Sequence, residues 1–127
     1  MPFSAIGKSS LYTIEAKTAD YRMTYLDNNK LFTNRGAAGA VVFTLPPTAD
    51  ISSGWNATVF TCVLDQNVTV QSNTADTMTT FNDLAADSIA WSTLSERAGA
   101  SAKFTWDGTG WLTQLFTEET ATVTVAT

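Results

Sequence analysis

The groups able to do chemistry in this 127-residue chain are carboxylates, a single cysteine and one glycine-bearing stretch; histidine is absent. Without histidine there is no Ser-His-Asp or Cys-His triad, and the commonest general base and metal ligand are missing. Glycoside hydrolysis needs two carboxyl groups at a set separation across a cleft. Of the twelve acids, Asp76, Asp83 and Asp87 in the turn-rich middle and Glu118 and Glu119 in the tail are the ones considered for such a pair. Most stand beside Asn, Thr or Gly, where aspartate bonds its own backbone in turns. "DNN" at Asp27–Asn29 lacks the remaining spacing of a calcium loop. Cys62 excludes an internal disulfide and a cysteine-based zinc site; within "NATVFTCVL" it reads as a small buried hydrophobe. "FTNRGAAGAVVFTLPP" invites comparison with a phosphate cradle, but Gly39 is followed by Ala40 and Val41, not by Lys and Ser/Thr. No catalytic, metal or cofactor site is expected, and the chain reads as non-enzymatic.

Composition sets further bounds. The length suits one domain with a single apolar core. A net charge of −5 argues against binding nucleic-acid phosphates or an anionic membrane leaflet. No apolar run approaches the roughly 18 residues of a membrane-spanning helix. The N-terminus lacks a basic start followed by an apolar segment, so no secretory signal is expected, and Asn56-Ala57-Thr58 and Asn67-Val68-Thr69 read as chance matches to the glycosylation pattern.

Threonine, serine, valine and aromatics dominate, which is β composition. In "NATVFTCVL", Thr58, Phe60, Cys62 and Leu64 alternate with Val59, Thr61 and Val63. Both faces are fairly apolar, predicting a strand buried on both sides, or on one side with a subunit contact on the other. "NVTVQS" follows Asp65–Asn67, and the two runs read as a hairpin. "ASAKFTWDGTGWLTQLF" predicts a second hairpin turning at Asp107–Gly110. "VVFTL" is a strand ended by Pro46 and Pro47, so the glycine-bearing stretch is strand–loop–strand. Short runs at Thr77–Phe81 and Ser88–Trp91 predict brief strands. The expected fold is all-β: a compact antiparallel β-sandwich of jelly-roll type over residues 13–117. An N-terminal arm covers residues 1–12 and a short C-terminal tail covers residues 118–127, either frayed or pairing as a strand with a neighbouring chain.

Trp106 and Trp111 flank the Asp107–Gly110 turn, and a cross-strand aromatic pair of that kind belongs to a core or a subunit contact. The competing use of Trp55, Trp91, Trp106 and Trp111 is stacking on sugar rings.

The string "TIEAKTADYRMTYLDNNKLFTNRGAAGAVVFTLPPTAD" resembles a small β module of tailed-bacteriophage virion surface proteins, notably capsid decoration (cement) and head-fibre proteins. The matching positions run from an acidic turn at Asp27–Lys30 through Leu31–Thr33 and the Asn34–Ala37 loop to Val41–Pro46. "DQNVTV", "DTMTTFND", "ADSIAWS", the turn at Ala98–Ala100 and "WDGTGW" extend the likeness over residues 12–116, while "TYLDNNK" departs from the small-residue turn more usual in the family. The resemblance implies a homotrimer, made in the host cytoplasm, that binds the major capsid protein on the outer capsid surface and stabilises the head. Phe3, Ile6, Leu11 and Tyr12 in the arm are the candidate capsid contacts. Val59, Val63, Trp106 and Trp111 are the candidate trimer interface. The same module occurs in tail fibres and other adhesins, so the alternative is a fibre adhesin binding host-surface glycans. A fibre module is expected within a longer chain, whereas 127 residues starting at Met read as complete.

Overall fold

The computed structural model describes residues 13–80, 82–92, 98–116 and 123–126. The described residues form twelve strands: β1 (Ile14–Ala16), β2 (Tyr21–Arg22), β3 (Lys30–Thr33), β4 (Val41–Thr44), β5 (Asn56–Phe60), β6 (Val68–Gln71), β7 (Met78–Thr80), β8 (Asp83–Ala86), β9 (Ser88–Trp91), β10 (Ser101–Trp106), β11 (Trp111–Phe116) and β12 (Val123–Ala126). They build a seven-stranded sheet in the order β1-β3-β5-β10-β11-β7-β8 and a five-stranded sheet in the order β12-β9-β6-β4-β2. The two sheets pack into an all-β sandwich around one core, with Phe32, Phe43, Trp91, Phe104 and Trp111 among its fully buried side chains.

The sheets are mixed, and here the winding differs from a wholly antiparallel jelly roll. The first six strands alternate between the sheets. Thus β1, β3 and β5 stack in parallel in one, while β2, β4 and β6 stack in parallel in the other. Parallel neighbours need a crossover, and each crossover here is a strand of the opposite sheet. The run predicted as a hairpin across Asp65–Asn67 is therefore a sheet-to-sheet crossing: β5 and β6 belong to different sheets. The strand stops at Phe60 because the next residues turn the corner. Thr61 bonds Ala100 O through both its N–H and its hydroxyl, each at 2.9 Å, and the Cys62 N–H donates to Asn34 Oδ1 at 2.7 Å.

The second half is antiparallel except where β7 runs parallel to β11. The β10–β11 hairpin pairs Trp106 with Trp111. Asp107 Oδ1 accepts the Thr109 and Gly110 N–H groups at 2.7 Å, and Gly108 takes a φ of 95° that other residues resist. A β7–β8 hairpin turns through Asn82 at φ 66°. The expected C-terminal tail is in part a strand of the sandwich itself. β12 pairs antiparallel with β9 of its own chain, and Val123 and Val125 pack on the core because their alternation matches the pleat.

Candidate functional site

Val59, Trp106 and Trp111, expected at a trimer interface, are interior residues of the single chain. Val59 and Trp111 are 0% exposed and Trp106 8%. Strand alternation explains this: Val59 lies between Thr58 and Phe60 and takes the inward side, and the paired tryptophan rings lie 5.4 Å apart, with Trp55 edge-on to Trp111 at 5.7 Å. Val63, half-buried, lies in the crossing after β5. All four tryptophans are buried, so no indole face is offered to a sugar ring. Phe3, Ile6, Leu11 and Tyr12 lie outside the described residues, as do Glu118 and Glu119.

The remaining candidate acids serve turns. Asp87 Oδ1 accepts the Asp76 N–H at 2.6 Å, and Asp83 Oδ1 accepts the Ala85 N–H at 2.9 Å. Among the described residues no three of Asp, Glu, Cys or His gather as a metal site.

One charged cluster was invisible in the sequence. Lys30 Nζ lies 2.8 Å from Glu15 Oε1 and 2.9 Å from Asp27 Oδ1. The other Asp27 oxygen accepts the Tyr21 hydroxyl at 2.8 Å and the Thr24 N–H at 2.9 Å, and Lys17 lies over the Tyr21 ring. Burial pushes Asp27 up, but the Thr24 N–H, Lys30 and Tyr21 outweigh it and hold the carboxyl below its ordinary range. Burial and the Asp27 carboxylate together push the Tyr21 hydroxyl up to about 12. The hydrogen bonds that the Lys30 ammonium donates to Glu15 and Asp27 raise it above its ordinary range. With its donors and acceptors matched, the cluster ties β1, β2 and β3 together at one edge of the sandwich, a structural task.

What distinguishes the molecule is the contrast between its two outer surfaces. On the five-stranded sheet the outward rows read Thr124–Ala90–Thr69–Val42 and Ala126–Ser88–Gln71–Thr44–Arg22. Apart from Val42, Gln71 and Arg22 these are small or hydroxyl-bearing side chains, and Gln71 donates to Thr44 Oγ1. On the seven-stranded sheet the rows read Ala16–Thr33–Phe60–Ser101–Phe116 and Ile14–Leu31–Thr58–Lys103–Gln114, with Leu112 beside Thr105. Every exposed large apolar side chain that belongs to a described strand (Ile14, Phe60, Leu84, Leu112 and Phe116) lies on this sheet.

Near its β1 edge, Ile14, Leu31, Phe60 and Cys62 line a groove of about 450 Å³ with Arg35 at its rim. Cys62 is half-buried in this wall rather than sealed in the core. Beside it, Asn29, Asn56, Thr58 and Lys103 surround a polar hollow of about 230 Å³. The ion pairs among the described residues use Lys17 and Lys30, leaving Arg35 and Lys103 without a carboxylate partner there. At this end of the sheet, an apolar surface beside cations that lack a carboxylate partner among the described residues has the makeup of a protein-binding surface. The sequence signal for it was the double-sided apolar pattern of β5; alternation alone did not say which side faced in. No family model matches this chain, and no curated protein matches it.

Proposed function

We propose that this chain is a non-enzymatic capsid decoration protein of a tailed phage, a homotrimer that sits on the outer capsid surface, contacts the major capsid protein and reinforces the head. The phage assignment rests on the sequence resemblance over residues 12–116. The observation that carries the binding role is the one-sided apolar outer face of the seven-stranded sheet. A soluble monomer gains nothing by exposing Ile14, Phe60 and Phe116 in adjoining rows, whereas covering them with protein recovers about 25 cal/mol per Å² of apolar area. A shell gains cohesion when one module buries such surface across several neighbours. The burial of all four tryptophans removes the platform on which a glycan-binding adhesin was expected to rely. Immunogold labelling of intact particles is expected to mark the head. Label confined to the tail, or turnover of a substrate by the purified protein, overturns the reading.

A further inference from the structure

The two edges of the seven-stranded sheet are complementary to one another. At one edge, β8 carries Leu84, 78% exposed and the most exposed large apolar side chain of the described residues. Acids lie along this edge: Asp83 precedes it in the same strand, and Asp87, which accepts the Asp76 N–H, follows the strand's end. Toward the opposite edge lies the apolar groove of Ile14, Leu31 and Phe60, flanked by Arg35 and Lys103. One end of the sheet thus offers an apolar knob among carboxylates, and the other an apolar hollow among cations that have no carboxylate partner among the described residues.

Within one chain the two cannot meet, because β10, β11 and β7 stand between them. We infer that the occupant of the groove is a second copy of this chain, whose β8 edge inserts Leu84 between Ile14, Leu31 and Phe60 and brings Asp83 to Lys103. This rests on the homotrimer reading and supplies its interface. The contact joins unlike patches, and a head-to-tail contact of that kind closes into a ring when the rotation permits. The apolar insertion supplies the affinity, and the charge pairs fix the register and disfavour other pairings. Burial of Leu84 also removes an exposed edge strand from solvent.

Light scattering of the purified full chain at micromolar concentration tests both levels. Wild type is expected at three chain masses. Leu84→Arg and Lys103→Glu are each expected to fall to one chain mass while keeping the wild-type circular dichroism spectrum, since both side chains lie on the surface. Asp83→Lys combined with Lys103→Glu is expected to restore the trimer. A monomeric wild type overturns the trimer reading itself. A wild-type trimer that persists in Leu84→Arg and Lys103→Glu leaves that reading standing and overturns the interface. A dimer that Leu84→Arg dissociates keeps the contact and overturns the three-fold arrangement. If Leu84→Arg loses its β spectrum, Leu84→Ser takes its place, with the same outcomes deciding.

Discussion

The Asp27 carboxylate is divided between two partners: one oxygen lies 2.9 Å from Lys30 Nζ, and the other accepts the Tyr21 hydroxyl at 2.8 Å. This residue lies in a 3-10 turn (Tyr25–Asp27), yet it is 2% exposed. The turn brings it inward, where it bridges strands of both sheets.

Because the folded carboxyl titrates below its unfolded value, Asp27 contributes stability that is present at neutral pH. That contribution is lost as the pH falls below about 4 and through the depressed folded value. Asp27→Asn is expected to destabilise the neutral protein by about 1–3 kcal/mol, less than for a sealed pair because Glu15 still holds Lys30. It is also expected to flatten the acid limb of the stability curve. Urea melts of both proteins across the acid range check this; parallel curves would mean that Asp27 carries no linkage.

Trp111 contacts two other indoles and has no solvent exposure. Trp111→Ala is expected to cost about 3–5 kcal/mol and to lower the melting temperature by roughly 10 °C or more. A thermal scan that overlays wild type would remove this residue from the core.

Gly108 occupies φ 95° at the tip of the β10–β11 hairpin. Gly108→Ala is expected to lose about 1–3 kcal/mol through backbone strain alone. Asp107→Ala, which removes the acceptor for two turn N–H groups, is expected to act in the same direction. Chemical denaturation with an unchanged midpoint in both variants would show that the turn does not constrain the hairpin.

Removal of residues 1–12 is expected to weaken co-sedimentation with phage heads while the β spectrum persists. The described sandwich begins only at Thr13, whose carbonyl accepts the Leu31 N–H. Full binding by the truncated chain would remove the arm from the capsid contact and leave that contact to the apolar sheet face alone.

The composition and the alternating runs were enough to read an all-β sandwich, and the Asp-Gly-Thr-Gly turn was enough to place β10 and β11. Pairing partners were not legible in the first half. A strand followed by a polar turn and another strand looks the same whether the chain doubles back in one sheet or crosses to the other. The difference lay in Thr61 and Asn34, whose bonds to Ala100 and Cys62 form the corner, and those contacts are distant in sequence. The interaction face was half legible. The run "NATVF" announced two apolar sides, but Val59 was read as outward and Phe60 went unassigned. Only the packing of Val59 beside Ala57 and Ala102 decides which side is inside. The Glu15–Lys30–Asp27–Tyr21 cluster left no local signature, since its members come from separate strands and a turn.

The alternate winding of the first six strands also governs how the molecule is made. Rungs such as Ile14 with Leu31 and Val41 with Val68 each wait on closure of a whole intervening circuit, so no hairpin can seed this half early. High contact order of that kind places folding on the millisecond-to-second scale. The apolar side chains of Ile14, Phe60 and Phe116 stay uncovered for that interval, which makes prompt assembly a protection against clumping during synthesis.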